Sequence, residues 1–112
     1  MTIDDVIARV GAVCERLPEV ERRDEAMGAV FHRKRRVVAY VIEYDDVEMV
    51  VVNADPDEVR ALVAGGHPYF EPNSGANRLG IVIDADTDWD QLGELVEESF
   101  WEIAPKRLRP QP

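Results

Sequence analysis

RVVAYVIEYDDVEMVVVN, residues 36–53, reads as two strands and the turn that joins them. Residues 36–43 and 47–53 are rich in β-branched and aromatic side chains, the composition that suits a pleated, packed surface. Tyr44, Asp45 and Asp46 supply the hairpin loop. Both strands are apolar at nearly every position. A sheet with one wet face alternates apolar and polar residues. The second face of this sheet is therefore expected to lie under a helix, a long loop or another subunit, and a homodimer is one way to supply that cover.

Upstream, residues 29–33 form a third, short strand, and the charged residues 19–28 read as a loop ending in Met27-Gly28. Before them Ile3, Val6, Ile7, Val10, Val13, Cys14 and Leu17 make one apolar stripe at helical spacing. Thr2 caps that helix, Asp4 and Asp5 suit the positive end of its dipole, and Pro18 stops it. Downstream, ADPDEVRALVAGG (54–66) is a helix with Asp55 as cap, Pro56 in the first turn and Gly65-Gly66 at its end. HPYFEPNSGAN (67–77) reads as a loop and RLGIVID (78–84) as a strand. DTDWDQLGELVEESFWEIA (86–104) is an amphipathic helix capped by Asp86 or Thr87 and ended by Pro105. Residues 105–112 read as a frayed tail. The order α-β-β-β-α-β-α predicts one α+β domain over residues 1–112, a two-layer antiparallel sheet with three helices.

The chain carries a formal net charge of −10 and a pI near 4.5. Its long-range field repels phosphate. No apolar run approaches the length needed to span a bilayer, so no membrane partner is expected. The N-terminus has no basic segment or cleavage site of a signal peptide. The single cysteine, Cys14, excludes an intrachain disulfide and fits a reducing cytoplasm.

Against that acidic background four cations stand together: Arg33, Lys34, Arg35 and Arg36. A β-hairpin carrying them can lay guanidinium forks along a phosphate backbone. Lys106, Arg107 and Arg109 extend the patch if the fold brings them near. The opposing reading is a solvated turn. The acidic run Asp84, Asp86, Asp88, Asp90 superficially resembles a calcium loop, but the sixth and twelfth places hold Trp89 and Leu95, where glycine and glutamate are required. It is accounted for by a strand end and a helix cap, so no metal is expected. His32 and His67 have no ligand spacing, Cys14 lies on an apolar stripe, and Ser74 lacks the strand–turn–helix setting of a nucleophile elbow. The glycines of AGGHP and NSGAN form no phosphate-loop pattern. No cofactor and no enzymatic reaction is expected. Trp89 and Phe100 share the inner face of the last helix, while Trp101 lies about 100° round from Phe100 and can anchor a partner.

Four words, taken in order, resemble the MmcQ/YjbR family of small bacterial proteins. They are LPEVE (17–21), FHRKRRVVAYV (31–41), NADPDE (53–58), and DTDWDQLGELVEESF (86–100) with its exit APKRL (104–108). In the family hairpin a phenylalanine begins one strand and a basic residue the next; Phe31 and Arg36 take those places. The resemblance implies a compact α+β fold akin to secretion-chaperone-like and frataxin-like domains. It also implies the family's DNA-binding label and its "double-wing" arrangement of hairpins. No catalytic residues come with it. The chain departs from the family in placing Lys34 and Arg35 where glycines usually turn the hairpin, and Leu79 where a tryptophan often precedes the last strand.

Two readings follow. One is a binding module that contacts DNA or RNA through Arg33, Lys34, Arg35 and Arg36, with Lys106 and Arg107. The other is a protein-interaction or small-ligand module using the apolar sheet face, His67, Tyr69, Phe70 and Trp101.

Overall fold

The computed structural model describes residues 2–108. Thr2 Oγ1 accepts from the Asp5 N–H, and the Asp5 carboxylate accepts from the Thr2 N–H. This reciprocal box satisfies two donors that a helix start leaves free. It opens α1 (Ile3–Cys14), which buries Val6, Ile7, Val10 and Cys14 and ends before Pro18 is reached. Strands β1 (Glu21–Glu25), β2 (Gly28–Arg33), β3 (Arg36–Tyr44) and β4 (Val47–Asn53) follow as a meander. Then come α2 (Pro56–Ala64), β5 (Tyr69–Phe70), β6 (Arg78–Ile83), α3 (Trp89–Ile103) and a short 3-10 turn at Lys106–Leu108.

The expected order of elements holds, with two strands added where loops were read. All six strands pair antiparallel in the order β1-β2-β3-β4-β6-β5. β1, with the sequence ERRDE, is exposed at all five positions and is a strand because its backbone pairs with β2 from Glu21↔His32 to Glu25↔Gly28. A charged edge of this kind discourages pairing with other chains. β5 is two residues long and pairs Tyr69 with Ile81 and Phe70 with Gly80. The tail also differs from expectation: Lys106–Leu108 is ordered as a turn and Leu108 packs against the core. Residues 109–112 lie outside the described residues.

Register divides the sheet into two faces. Phe31, Ala39, Val52 and Leu79 lie opposite one another across four strands, as do Ala29, Val41, Val50 and Ile81. These eight belong to one core with Val10 of α1, Val59 of α2, and Leu92, Val96 and Phe100 of α3. The helices therefore form the second layer on this face. On the other face Val30, Tyr40, Val51, Gly80 and Phe70 are in register. A Cβ on Gly80 would lie 2.3 Å from Phe70 Cζ, so the phenyl ring covers the glycine. Val30 and Val51 are buried beside Tyr40 and across Gly80 from Phe70. The cover expected for this face is thus local: its own aromatic side chains lie over it, and none of the three helices among the described residues packs there.

The hairpin turns show their chemistry. Asp45 and Asp46 connect the paired residues Tyr44 and Val47, with φ of +54° and +63°, the left-handed pair that a tight hairpin requires. Gly28 is needed for close approach, since a Cβ there would sit 1.8 Å from the Val41 carbonyl oxygen.

Candidate functional site

The antiparallel meander sorts the charges. The Lys34-Arg35 turn, the end of β4, the start of α2, the start of β6 and the end of α3 all lie at one end of the sheet. The Asp45-Asp46 turn, the Glu25–Gly28 turn, Asp84 and the start of α1 lie at the other. The first end holds Arg33, Lys34, Arg35, Arg36, Arg78, Lys106 and Arg107, with the acids Glu19, Asp55, Asp57, Glu58 and Glu102 among them. The second holds Asp4, Asp24, Glu25, Glu43, Asp45, Asp46, Glu48, Asp84 and Asp86. There Glu43 is pushed above the usual carboxylate value by desolvation and by Glu48 beside it. A net charge of −10 is therefore unevenly carried, and a cationic end coexists with an acidic whole.

The two basic segments of the sequence meet through one carboxylate. Arg33 Nη2 lies 2.5 Å from Glu19 Oε2, and Arg107 Nη2 lies 3.7 Å from Glu19 Oε1. Arg33 foremost, then Arg107 and Lys34, hold the Glu19 carboxyl below its ordinary value, against a smaller effect of desolvation. Arg33 itself differs from the expectation of a cation offered to solvent. It continues the inward parity of Ala29 and Phe31 and is 6% exposed. The ion pair is close but not aligned as a hydrogen bond, and Arg33 Nε has no hydrogen-bond partner among the described residues. Its role is to tie the hairpin to the segment after α1. Lys34, Arg35, Arg36, Lys106 and Arg107 are exposed. Arg109 lies outside the described residues.

The turn is tight despite its residues. Arg33 pairs with Arg36, so Lys34 and Arg35 alone make the connection, and Lys34 takes φ +53°. A register shift between Phe31 and His32 leaves Val38 as an extra residue on β3, a bulge of the kind that bends and re-aims a strand. Asn53 and Ser99 satisfy the backbone around it. Ser99 Oγ donates to the Val38 carbonyl (2.6 Å) and accepts from the Asn53 N–H (2.9 Å), bridging β3 and β4 beyond their last paired residues, Ala39 and Val52. Asn53 Nδ2 donates to the Val37 carbonyl (2.7 Å) and to Ser99 Oγ (3.0 Å). Sequence reasoning missed this network, whose members are 46 and 61 residues apart.

Below the turn lies a polar cleft of about 270 Å³. Arg36, Asn53, Asp55, Asn77, Arg78 and Glu102 line it, with Val37, Ala54, Pro56 and Ile103. Two of the words that carry the family resemblance supply part of this lining: Arg36 and Val37 from 31–41, and residues 53–56 from 53–58. Asp55 is committed to capping α2, accepting from the Asp57 and Glu58 N–H groups.

The residues of the alternative site do not converge. His67 Nε2 is 2.8 Å from Asp84 Oδ2, at the acidic end; there the Asp86 N–H and then His67 hold Asp84 below its ordinary value. Tyr69 packs against the core, whereas Phe70 lies on the opposite face over Gly80. Trp101 is half-buried in the helical layer, edge-on to Phe100 at 4.9 Å. Trp89, read as core, is half-buried with Arg9 Cζ 4.7 Å from its ring centroid. The α3 cap is Asp88, which accepts from the Gln91 N–H at 3.0 Å, and not Asp86 or Thr87. Thr87 Oγ1 instead accepts from the Asp84 N–H. Burial pushes the Cys14 thiol up to about 12, which leaves it protonated and inert at neutral pH.

Among the described residues, no helix is long and apolar enough to cross a membrane. No family model matches the chain, and no curated protein matches it. Among solved structures the chain is similar to Deinococcus radiodurans protein DR2400, whose domain is DUF419. The TM-score is 0.69 and the identity 21%, over 96% of this chain and 82% of that one. At that identity the likeness shows a shared α+β fold, and what the basic end does rests on its own geometry.

Proposed function

We propose that this is a small binding protein whose basic end grips the phosphate backbone of a nucleic acid. The observation that supports it most is the junction at Glu19, which sets Arg107 beside the β2–β3 hairpin and makes one cationic surface from two distant segments. Lys34, Arg35, Arg36, Lys106 and Arg107 are its exposed cations. The left-handed Lys34 adds to the case. A glycine would hold that backbone without strain, and the lysine instead sets a charge at the tip of the hairpin. DUF419 is related to the MmcQ/YjbR family, and the resemblance to that family carries the DNA-binding, double-wing reading to this chain. The acidic remainder confines contact to this end, because screening limits the field to about 8 Å at physiological salt.

Fluorescence anisotropy with labelled duplex and single-stranded DNA tests the reading. The variant Lys34→Ser/Arg35→Ser/Arg36→Ser takes the net charge from −10 to −13. The control Arg22→Ser/Arg23→Ser/Arg60→Ser makes the same change elsewhere. Arg33 is left alone because its loss would disturb the fold. The wild type and the control bind, with a salt slope of about −0.9 per duplex phosphate contacted, and the hairpin variant does not. Equal loss in both variants, or no binding by the wild type at low salt, refutes the proposal.

A second reading is an interaction module that pairs with a second copy through the half-buried Tyr40 and Phe70 of this sheet face, Val30 and Val51 being already covered. Light scattering that gives a 12.7 kDa particle at high concentration ends it.

A further inference from the structure

We infer that the basic end selects paired over unpaired nucleic acid: its ligand is the backbone of a double strand, and a single strand is a poor substitute. The inference rests on the phosphate-binding reading of that end and names the form of ligand it takes. Proteins hold single strands with two devices, aromatic side chains on which bases stack and a positively charged groove that tracks the chain. The basic end offers neither among the described residues.

The aromatic side chains are elsewhere or enclosed. The chain's three Phe, three Tyr and two Trp all lie within the described residues. Tyr44 alone is exposed, at 65%, and it adjoins the Asp45-Asp46 turn at the acidic end. Towards the basic end, Phe31 is buried in the core. Trp101 is half-buried, packed against the core and edge-on to Phe100, and the exposed carboxylate of Glu102 follows it. The cleft beneath the hairpin is no cationic groove. Its lining sets the guanidinium groups of Arg36 and Arg78 against the carboxylates of Asp55 and Glu102. With no net charge from these groups, nothing draws a single strand along it.

What remains is the hairpin tip, with Lys106 and Arg107 brought beside it through Glu19. Its backbone is fixed. Lys34 and Arg35 alone close the turn, and the bonds of Asn53 and Ser99 hold the strands behind it. A fixed array suits phosphates that are themselves fixed. A duplex is stiff over about 150 base pairs and carries one charge per ~1.7 Å of axis, twice the density of either strand alone in that geometry. A flexible strand must be ordered to meet the same array, and that ordering costs affinity.

Fluorescence anisotropy at 0.1 M salt compares a labelled 16-base-pair DNA duplex, an RNA duplex of the same length, and a dT16 strand, which does not pair with itself. The wild type binds the DNA duplex roughly tenfold more tightly than dT16. That factor is the difference of about 0.2 per contact between duplex and single-strand salt slopes, taken over about five contacts. The duplex slope is about −4.5. The variant Asp55→Asn/Glu102→Gln unmasks Arg36 and Arg78 and keeps a capping side chain on α2. It narrows the gap, because it gives a single strand a cationic groove; an unchanged gap overturns the masking argument. Should that variant fail to fold, the wild-type comparison of duplex and dT16 still decides. Whichever duplex binds more tightly identifies the source of the paired backbone. Equal or tighter binding of dT16 overturns the inference and leaves the backbone reading standing. Binding of none of the probes removes both.

Discussion

Arg33 shows how a residue in a cationic run can belong to the fold rather than the surface. Its parity was legible: Ala29, Phe31 and Arg33 alternate with Val30 and His32, so a strand that buries the first two turns the third inward. Its partner was not legible, because Glu19 lies in a segment without periodic pattern. The pair predicts a pH dependence. Arg33 keeps Glu19 below its ordinary value near 4.5. Since the folded-state value is the lower one, the contribution to stability is full above pH 4.5 and is lost as the pH falls through it towards the folded value. Melting temperatures measured from about pH 6 to pH 3 fall more steeply for the wild type than for Glu19→Gln; parallel curves would deny the coupling. Ser99 is the second such residue. It lies beside Phe100 on the buried face of α3, and its hydroxyl joins Asn53 and Val38 at full burial. Ser99→Ala strands a buried N–H and a carbonyl and destabilises by about 1–3 kcal/mol in urea unfolding. A change below about 0.5 kcal/mol would show that the bulge does not need it.

At the scale of elements, strong patterns were readable and weak ones were not. The stripe of α1, the Asp55-Pro56 start of α2 and the β-branched runs of β3 and β4 each place an element where the structure has it. β1 was invisible because an exposed edge strand needs only backbone partners, and ERRDE has no buried face to announce it. β5 was hidden because two residues carry no periodicity, and its pairing depends on the glycine at position 80, which leaves room for Phe70. The cap of α3 was misplaced by two residues or fewer because several acids in the run can serve and only geometry selects Asp88. The turns carry a prediction. Asp46 holds φ +63°, at the second position of a two-residue hairpin loop, where glycine is favoured. Asp46→Gly therefore stabilises by about 0.5–1 kcal/mol in chemical denaturation. A loss of stability would mean that Asp46 makes a compensating contact.

Across the whole molecule the sequence reports a sum and the fold reports a distribution. The net charge of −10 speaks against nucleic acid, but a meander of antiparallel strands sends its turns alternately to opposite ends. Here the cationic turn goes one way and the acidic turns go the other. That polarity depends on strand direction and on where residues 106–107 return, and no local word contains either. The cleft was illegible for the same reason: Arg36, Asn53, Arg78 and Glu102 come from four elements and meet only when the sheet is assembled. The most direct test is a backbone amide NMR titration of the wild type with a short duplex at low salt. Shifts are expected to cluster at residues 34–37, 53–55, 77–78, 102–104 and 106–108 and to leave the Asp45-Asp46 turn and Asp84–Asp88 unmoved. Shifts spread over both ends, or centred on the Val30, Tyr40 and Val51 face, would contradict it.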